Sequence, residues 1–190
     1  MSRWTEPVSQ TWLEQLYTAD PDPWNFTNSD YERAKYAATL GALPPGKFAN
    51  ALEIGCSIGV FTRQLAERCG TLRAIDASEA ALVKAREHCP GVQFERRFIP
   101  GEWPQGRYDL IMFSEILYFL DRAAISATAK LALTDLQPGG VILLVNYLGA
   151  MSFPCTGDEA AELFIEMTGL TPALQIRETD YRLDRLDHPG

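Results

Sequence analysis

Basic charge is scarce in this 190-residue sequence: 17 lysines and arginines stand against 25 aspartates and glutamates, for a formal net charge of −8. The densest basic pair, Arg96-Arg97, is flanked by Glu95 and Glu102. A phosphate backbone needs a concentrated positive face, so nucleic acid is not expected as a partner. Long apolar runs are missing too. No stretch reaches membrane-spanning length, and the opening "MSRWTEPVSQTW" holds no signal-peptide core, so no membrane partner and a cytoplasmic location are expected. Histidine is nearly absent: His88 ends a helical stretch and His188 sits in the tail, which disfavours a histidine base. The four cysteines, Cys56, Cys69, Cys89 and Cys155, form no Cys-x-x-Cys pair and have no histidine at ligand spacing. No metal site is expected, and the thiols read as buried and free in a reducing compartment.

What remains is an ordinary globular composition, 46% hydrophobic and 22% charged, in a chain of one-domain length. Residues 8–18 put Val8, Trp12, Leu13, Leu16 and Tyr17 on one helical face. "ADPDPWNF" interrupts, and Asp30 then reads as the N-cap of "YERAKYAATLGAL", which Pro44 and Pro45 stop. From residue 51 short apolar runs alternate with helical stretches. The strands expected are 51–54, 72–75, 92–94, 108–113 and 141–147, with helices at about 58–68, 79–88 and 122–136 between them. Nearly continuous apolar strands separated by helices imply a parallel sheet covered on both faces. A helix near 158–168 precedes "ALQIRET" and "YRLDRL", which read as a terminal antiparallel pair. The expected fold is a single α/β domain: a doubly wound, Rossmann-like, mostly parallel seven-stranded sheet with an antiparallel C-terminal strand. Residues 1–48 form a helical cap, 49–147 the cofactor-binding core and 148–190 the C-terminal helix and strand pair. A monomer or homodimer is expected.

Ligands of such sheets bind outside the carboxyl ends of the strands, where the strand order reverses. The turn after the first strand there is "EIGCSIG", with Gly55 and Gly59 around Cys56, Ser57 and Ile58. It departs from Gly-x-Gly-x-x-Gly because position 57 is serine and position 60 is valine, which argues against a pyrophosphate-bearing cofactor. The Ser57 hydroxyl is placed to start the following helix. Asp76 ends the second strand; a carboxylate there accepts from both hydroxyls of a ribose, or caps the next helix together with Ser78.

"LEIGCSIGVFTRQLA" followed by "IDAS" resembles motifs I and II of the class I S-adenosylmethionine-dependent methyltransferases. "YDLIMFSEILYFL" and "LQPGGVILL" resemble that family's fourth strand with its loop, and the turn into its fifth. Outside this core, "DPDPWNFTNSDYERAKYAATLGALP" and "SEILYFLD" are similar to the nodulation protein S group, which includes an N-methyltransferase for the free amine of a deacetylated chitooligosaccharide. The resemblance implies S-adenosyl-L-methionine as cofactor and S-adenosyl-L-homocysteine as product. It favours a small-molecule acceptor, an amine of an amino sugar, glycoside or oligosaccharide, over O-methylation or cofactor binding without catalysis.

It also implies residue roles. Gly55 and Gly59 pass beneath the cofactor's amino-acid portion and ribose, with Cys56 and Ser57 in the same loop. Glu53 lies under that loop, Asp76 takes the ribose hydroxyls and Ala77 faces the adenine. Phe98 stacks on the adenine or offers its amide to a ring nitrogen, and Ser114 completes the cofactor set. Trp24, Tyr31 and Arg33 form a lid over the methionine end, with Arg33 pairing with the cofactor carboxylate. The alternatives are a packing staple for Trp24 and a solvated helix face, beside Glu32, for Arg33. Glu115 receives the amine's proton or holds the amine, or is only an acid favoured at a helix start. Tyr118 orients the amine, and Asn146 and Tyr147 are candidates for the substrate wall.

Overall fold

The structure, a computed structural model, describes residues 3–190. Its strands are β1 (Phe48–Ile54), β2 (Cys69–Asp76), β3 (Gln93–Arg96), β4 (Tyr108–Ser114), β5 (Leu136–Tyr147), β6 (Pro172–Arg177) and β7 (Tyr181–Asp187). They make one sheet in the order β3-β2-β1-β4-β5-β7-β6. The first five are parallel, β7 runs antiparallel to β5, and β6 antiparallel to β7. The fold is thus the mostly parallel seven-stranded sheet expected, with its terminal antiparallel pair.

Side-chain alternation along the central strands builds two apolar layers. On one face Leu52, Ile54, Ile111, Phe113, Ile142 and Leu144 pack with Ile125 and Ala129 of α5 (Arg122–Asp135) and Phe164 of α6 (Gly157–Thr168). On the other, Ala51, Leu110, Met112, Leu143 and Val145 meet Tyr36 of α2 (Asp30–Ala42) with Phe61 and Leu65 of α3 (Val60–Ala66). Each such fully buried large side chain contributes about 1.5–3 kcal/mol relative to exposure. Cys56, Cys69, Cys89 and Cys155 are all buried and unpaired. Among the described residues no helix is long and apolar enough to cross a membrane.

Several boundaries differ from the sequence expectation for local reasons. The N-cap of α2 is Ser29, whose side chain accepts from the Glu32 amide, and Asp30 is the first helical residue. Helix α3 starts only at Val60, because Gly59 at its N-cap holds a left-handed conformation. Strand β5 begins five residues early, since Leu136 pairs with Tyr108 ahead of a register shift.

Two helices cover the carboxyl ends of the strands. Helix α1 (Gln10–Ala19) packs on α4 (Glu79–His88). Its Glu14 accepts from Ser78 Oγ at 2.8 Å and from the Ala80 amide at 3.3 Å, placing a negative charge at the α4 N-terminus. Helix α2 lies against the α3 side of the sheet through Tyr36 and Phe61, 5.2 Å apart between ring centroids. Strand order reverses between β1 and β4, and the crevice opens there.

Candidate active site

A cavity of about 770 Å³ lies at that reversal. From the sheet it is lined by Gly55 and Ser57 after β1, Asp76 and Ala77 after β2, Arg97 and Phe98 after β3, Ser114, Glu115 and Tyr118 after β4, and Tyr147 at the end of β5. Trp24 and Tyr31, from the segments before β1, also line it. Glu53, Cys56, Gly59, Arg33 and Asn146 do not line it.

The turn after β1 shows why. Gly55 has φ +85°, and a Cβ there would stand 2.1 Å from Ile116 Cγ2 and 2.8 Å from the Ser114 carbonyl oxygen. Gly59, at φ +81°, faces away from the cavity: its Cβ would meet Ala85 Cα of α4 at 3.0 Å. It is glycine so that α3 and α4 can approach, a correction to its expected place beneath the cofactor. Cys56 packs with Ala74, Leu82 and Ala85 in the same layer. Ser57 takes the left-handed conformation at φ +48°, which a non-glycine residue adopts at a cost. Its hydroxyl does not cap α3 as expected; it bonds Tyr17 Oη of α1 at 2.6 Å and ties the cap helix to the turn.

The Asp76 carboxylate accepts from the Ser57 amide through Oδ2 and the Ser78 amide through Oδ1, each at 2.9 Å. Burial raises its pKa and those amides oppose the rise. A carboxylate has about four lone-pair sites, so acceptor capacity remains toward the cavity. Ala77 turns its carbonyl to Gln10 Nε2 at 3.2 Å. Phe98 lines the cavity, but its amide donates to Glu102 Oε2 at 2.8 Å and is not offered to a ligand, which leaves the ring as its contact surface.

Glu53 lies wholly buried beneath the turn and accepts from Ser114 Oγ at 3.1 Å. Burial pushes its pKa up to about 7. The folded protein therefore holds a proton there that the unfolded chain has lost, so stability falls as pH rises between about 4.5 and 7 and is level above. Glu53→Gln removes that fall, and the variant should gain on the parent by no more than about 3 kcal/mol at pH 8 relative to pH 4.5. Urea unfolding at the two pH values checks this; an identical pH dependence in both proteins would overturn it.

The charged end of the cavity departs most from the sequence reading. Arg33 points outward, exposed, and pairs with Asp30. Lys35 points in: its side chain is 3% exposed, with Nζ 2.9 Å from Glu32 Oε1 and 2.8 Å from Glu115 Oε2. Its ammonium also lies 4.9 Å from the centre of the Tyr31 ring, a cation–π contact. Glu115 has φ +57° and Oε1 buried without a partner; Glu32 Oε2 is in the same state. Burial raises the Glu115 pKa and Lys35 pulls it back down. Tyr118 is buried, and burial keeps its hydroxyl protonated. Tyr31 donates to the Asp180 carbonyl at 3.4 Å. Asn146 is fully buried inside the sheet and its amide meets neither the cavity nor a partner.

The family model for nodulation protein S (NodS) matches residues 7–144. The chain belongs to the nodulation protein S family. It is 35% identical to nodulation protein S of Rhizobium tropici over 136 residues, 67% of this chain and 56% of that protein. It is 29% identical to phosphoethanolamine N-methyltransferase 3 of Arabidopsis thaliana over 121 residues, 60% of this chain and 24% of that protein. Among solved structures, N-methyltransferase NodS from Bradyrhizobium japonicum WM9 in complex with S-adenosyl-L-homocysteine superposes with a TM-score of 0.76 at 25% identity, covering 96% of this chain and 100% of that one. The chain spans 56–63% of the length of the nodulation protein S sequences it matches.

Proposed function

We propose that the chain is an S-adenosylmethionine-dependent methyltransferase acting on an amine of a small molecule. The observation that carries this is one cavity joining Asp76, a carboxylate with acceptor capacity to spare, to the Glu32–Lys35–Glu115 cluster across the β1/β4 reversal. The cofactor fits the residues present. Asp76 accepts from the two ribose hydroxyls, the Phe98 ring and Ala77 flank the adenine, and Gly55 lets the backbone approach the amino-acid portion. Helix α1, tied through Tyr17 and Gln10, covers the nucleoside.

The cofactor, when bound, supplies an electrophilic methyl group on sulfur. The rest falls to the chain's own groups. An amine attacks only when neutral, so a group beside it must take its proton. The Glu115 carboxylate is the acceptor for that proton. Lys35 opposes the rise that burial imposes on the Glu115 pKa, and the Tyr118 hydroxyl orients the nitrogen. The relatives' N-methyltransferase names support an amine over a hydroxyl, and membership of the nodulation protein S family supports an amino sugar or glycoside.

Glu115→Gln should lower methyl transfer by about 100-fold with S-adenosylhomocysteine affinity unchanged. Labelled cofactor with an amine panel measures the first and calorimetry the second. A fully active variant would remove Glu115 from the mechanism. Tight cofactor binding by the parent, without transfer to any amine, sugar or phenol, would favour a binding protein over an enzyme.

A further inference from the structure

Rings gather in the cavity wall beside the loops after β4 and β5, which carry Tyr118, Phe119 and Phe153. Trp4 meets Trp12 edge-on at 5.5 Å and Phe153 edge-on at 5.6 Å between centroids. Phe119 packs edge-on to Phe153 at 4.5 Å, and Tyr118 lies nearly parallel to Phe153 at 6.0 Å. Met151 completes the wall, and all six residues line the cavity.

The segment before α1 roofs this nest as a strap. Arg3 is ion-paired with Glu159 of α6, the Trp4 amide donates to the Ser152 carbonyl at 2.8 Å, and the Val8 amide to the Phe119 carbonyl at 2.9 Å. The strap is thus bonded to both loops that carry the wall. Among the described residues, three of the charged groups lining the cavity, Glu32, Lys35 and Glu115, are gathered together by ion pairs through Lys35.

We propose that the nest seats the non-reacting body of a compact acceptor, a primary amine on a ring with an apolar face, and that the strap excludes chain-like oligosaccharides. This rests on the methyltransferase reading above. A hydroxyl-rich oligomer loses water from every hydroxyl it brings inside, and ring edges return no hydrogen bond for them. A single ring stacks on the aromatic wall and gains apolar burial and ring contact. Its amine then points at the side of the cavity lined by Glu115. The C–H face of an amino monosaccharide and the face of an arylalkyl amine offer the same surface.

The test uses the full chain. Calorimetry with S-adenosylhomocysteine comes first and judges the methyltransferase reading by itself. The protein, with and without that product, is then titrated with methyl glucosaminide, benzylamine and fully deacetylated chitotetraose. At least one compact amine should bind about tenfold more tightly than the tetrasaccharide, and the better of the two identifies the source of the face. Phe153→Ala and, at the half-exposed rim, Trp4→Ala should each weaken that binding about tenfold with S-adenosylhomocysteine affinity within about twofold. Equal or tighter binding of the tetrasaccharide would overturn the proposal, as would folded variants that bind the compact amine like the parent. Failure to bind S-adenosylhomocysteine would sink the cofactor assignment, while the amine titrations would still judge the nest.

Discussion

Replacing Lys35 by methionine should destabilise the protein by about 3–5 kcal/mol near pH 8 and by much less near pH 5. Lys35 is the cation between two carboxylates whose side chains are 8% and 17% exposed, Glu32 and Glu115. Methionine fills nearly the same space, so the loss is not a cavity. It is the cost of leaving buried negative charge without its counter-ion. Burial already holds the Glu115 pKa above the usual range, and the Lys35 ammonium is the main group pulling it down. Without the ammonium the native state keeps a proton at pH values where the unfolded chain has released it. Stability then falls as pH rises through that window, which fixes the sign of the pH dependence. Urea unfolding at both pH values measures the effect. An equal loss at pH 5 and pH 8 would assign the defect to packing and remove the electrostatic account. Glu32→Gln added to Lys35→Met should recover part of the loss at pH 8, because it removes one of the two unpaired charges.

The same cluster shows what the sequence could and could not reveal. In "DYERAKYAA", Glu32 and Lys35 have the spacing of an ordinary solvated ion pair on a helix surface, and nothing local says which face turns inward. Position 33 lies about 200° around the helix from position 35, so a face that buries Lys35 must expose Arg33. The burial of Glu32, Lys35, Tyr36 and Thr39 shows that choice. Helical spacing could have grouped Tyr31 with Lys35 and Lys35 with Thr39, but the charged residues masked the stripe. The strands were easier. Apolar runs such as "VILLVN" have no other home than a sheet covered on both faces, and their carboxyl ends located Asp76, Ser114 and Glu115 in advance. The aromatic nest was not legible, because Trp4, Trp12, Phe119 and Phe153 come from four separate segments that only tertiary packing unites. Ser57 escaped for the same reason. Its partner Tyr17 is 40 residues away, on a helix whose docking no local pattern encodes.

Asp76→Ala should weaken S-adenosylhomocysteine binding by about a thousandfold, the loss expected from two hydrogen bonds to a charged acceptor at roughly 1.5–3 kcal/mol each. The structure sharpens why the effect is large. The carboxylate has two tasks at once: it offers lone pairs to the cavity, and it fixes the turn by accepting the Ser57 and Ser78 amides. Alanine removes both, so affinity alone does not separate direct contact from a loosened turn. Asp76→Asn separates them. Its one remaining oxygen still accepts from one amide, while its NH2 group faces the other donor and offers the ribose no lone pair. If the turn were all that mattered, asparagine should retain much of the affinity and both variants should lose stability without ligand in proportion to their loss of binding. If the ribose contact dominates, asparagine should bind nearly as weakly as alanine although, keeping one of the two turn hydrogen bonds, it loses less unliganded stability than alanine. Calorimetry and thermal unfolding of the three proteins decide between the two. Unchanged affinity in Asp76→Ala would end the ribose assignment, and with it the placement of the nucleoside between β2 and helix α1.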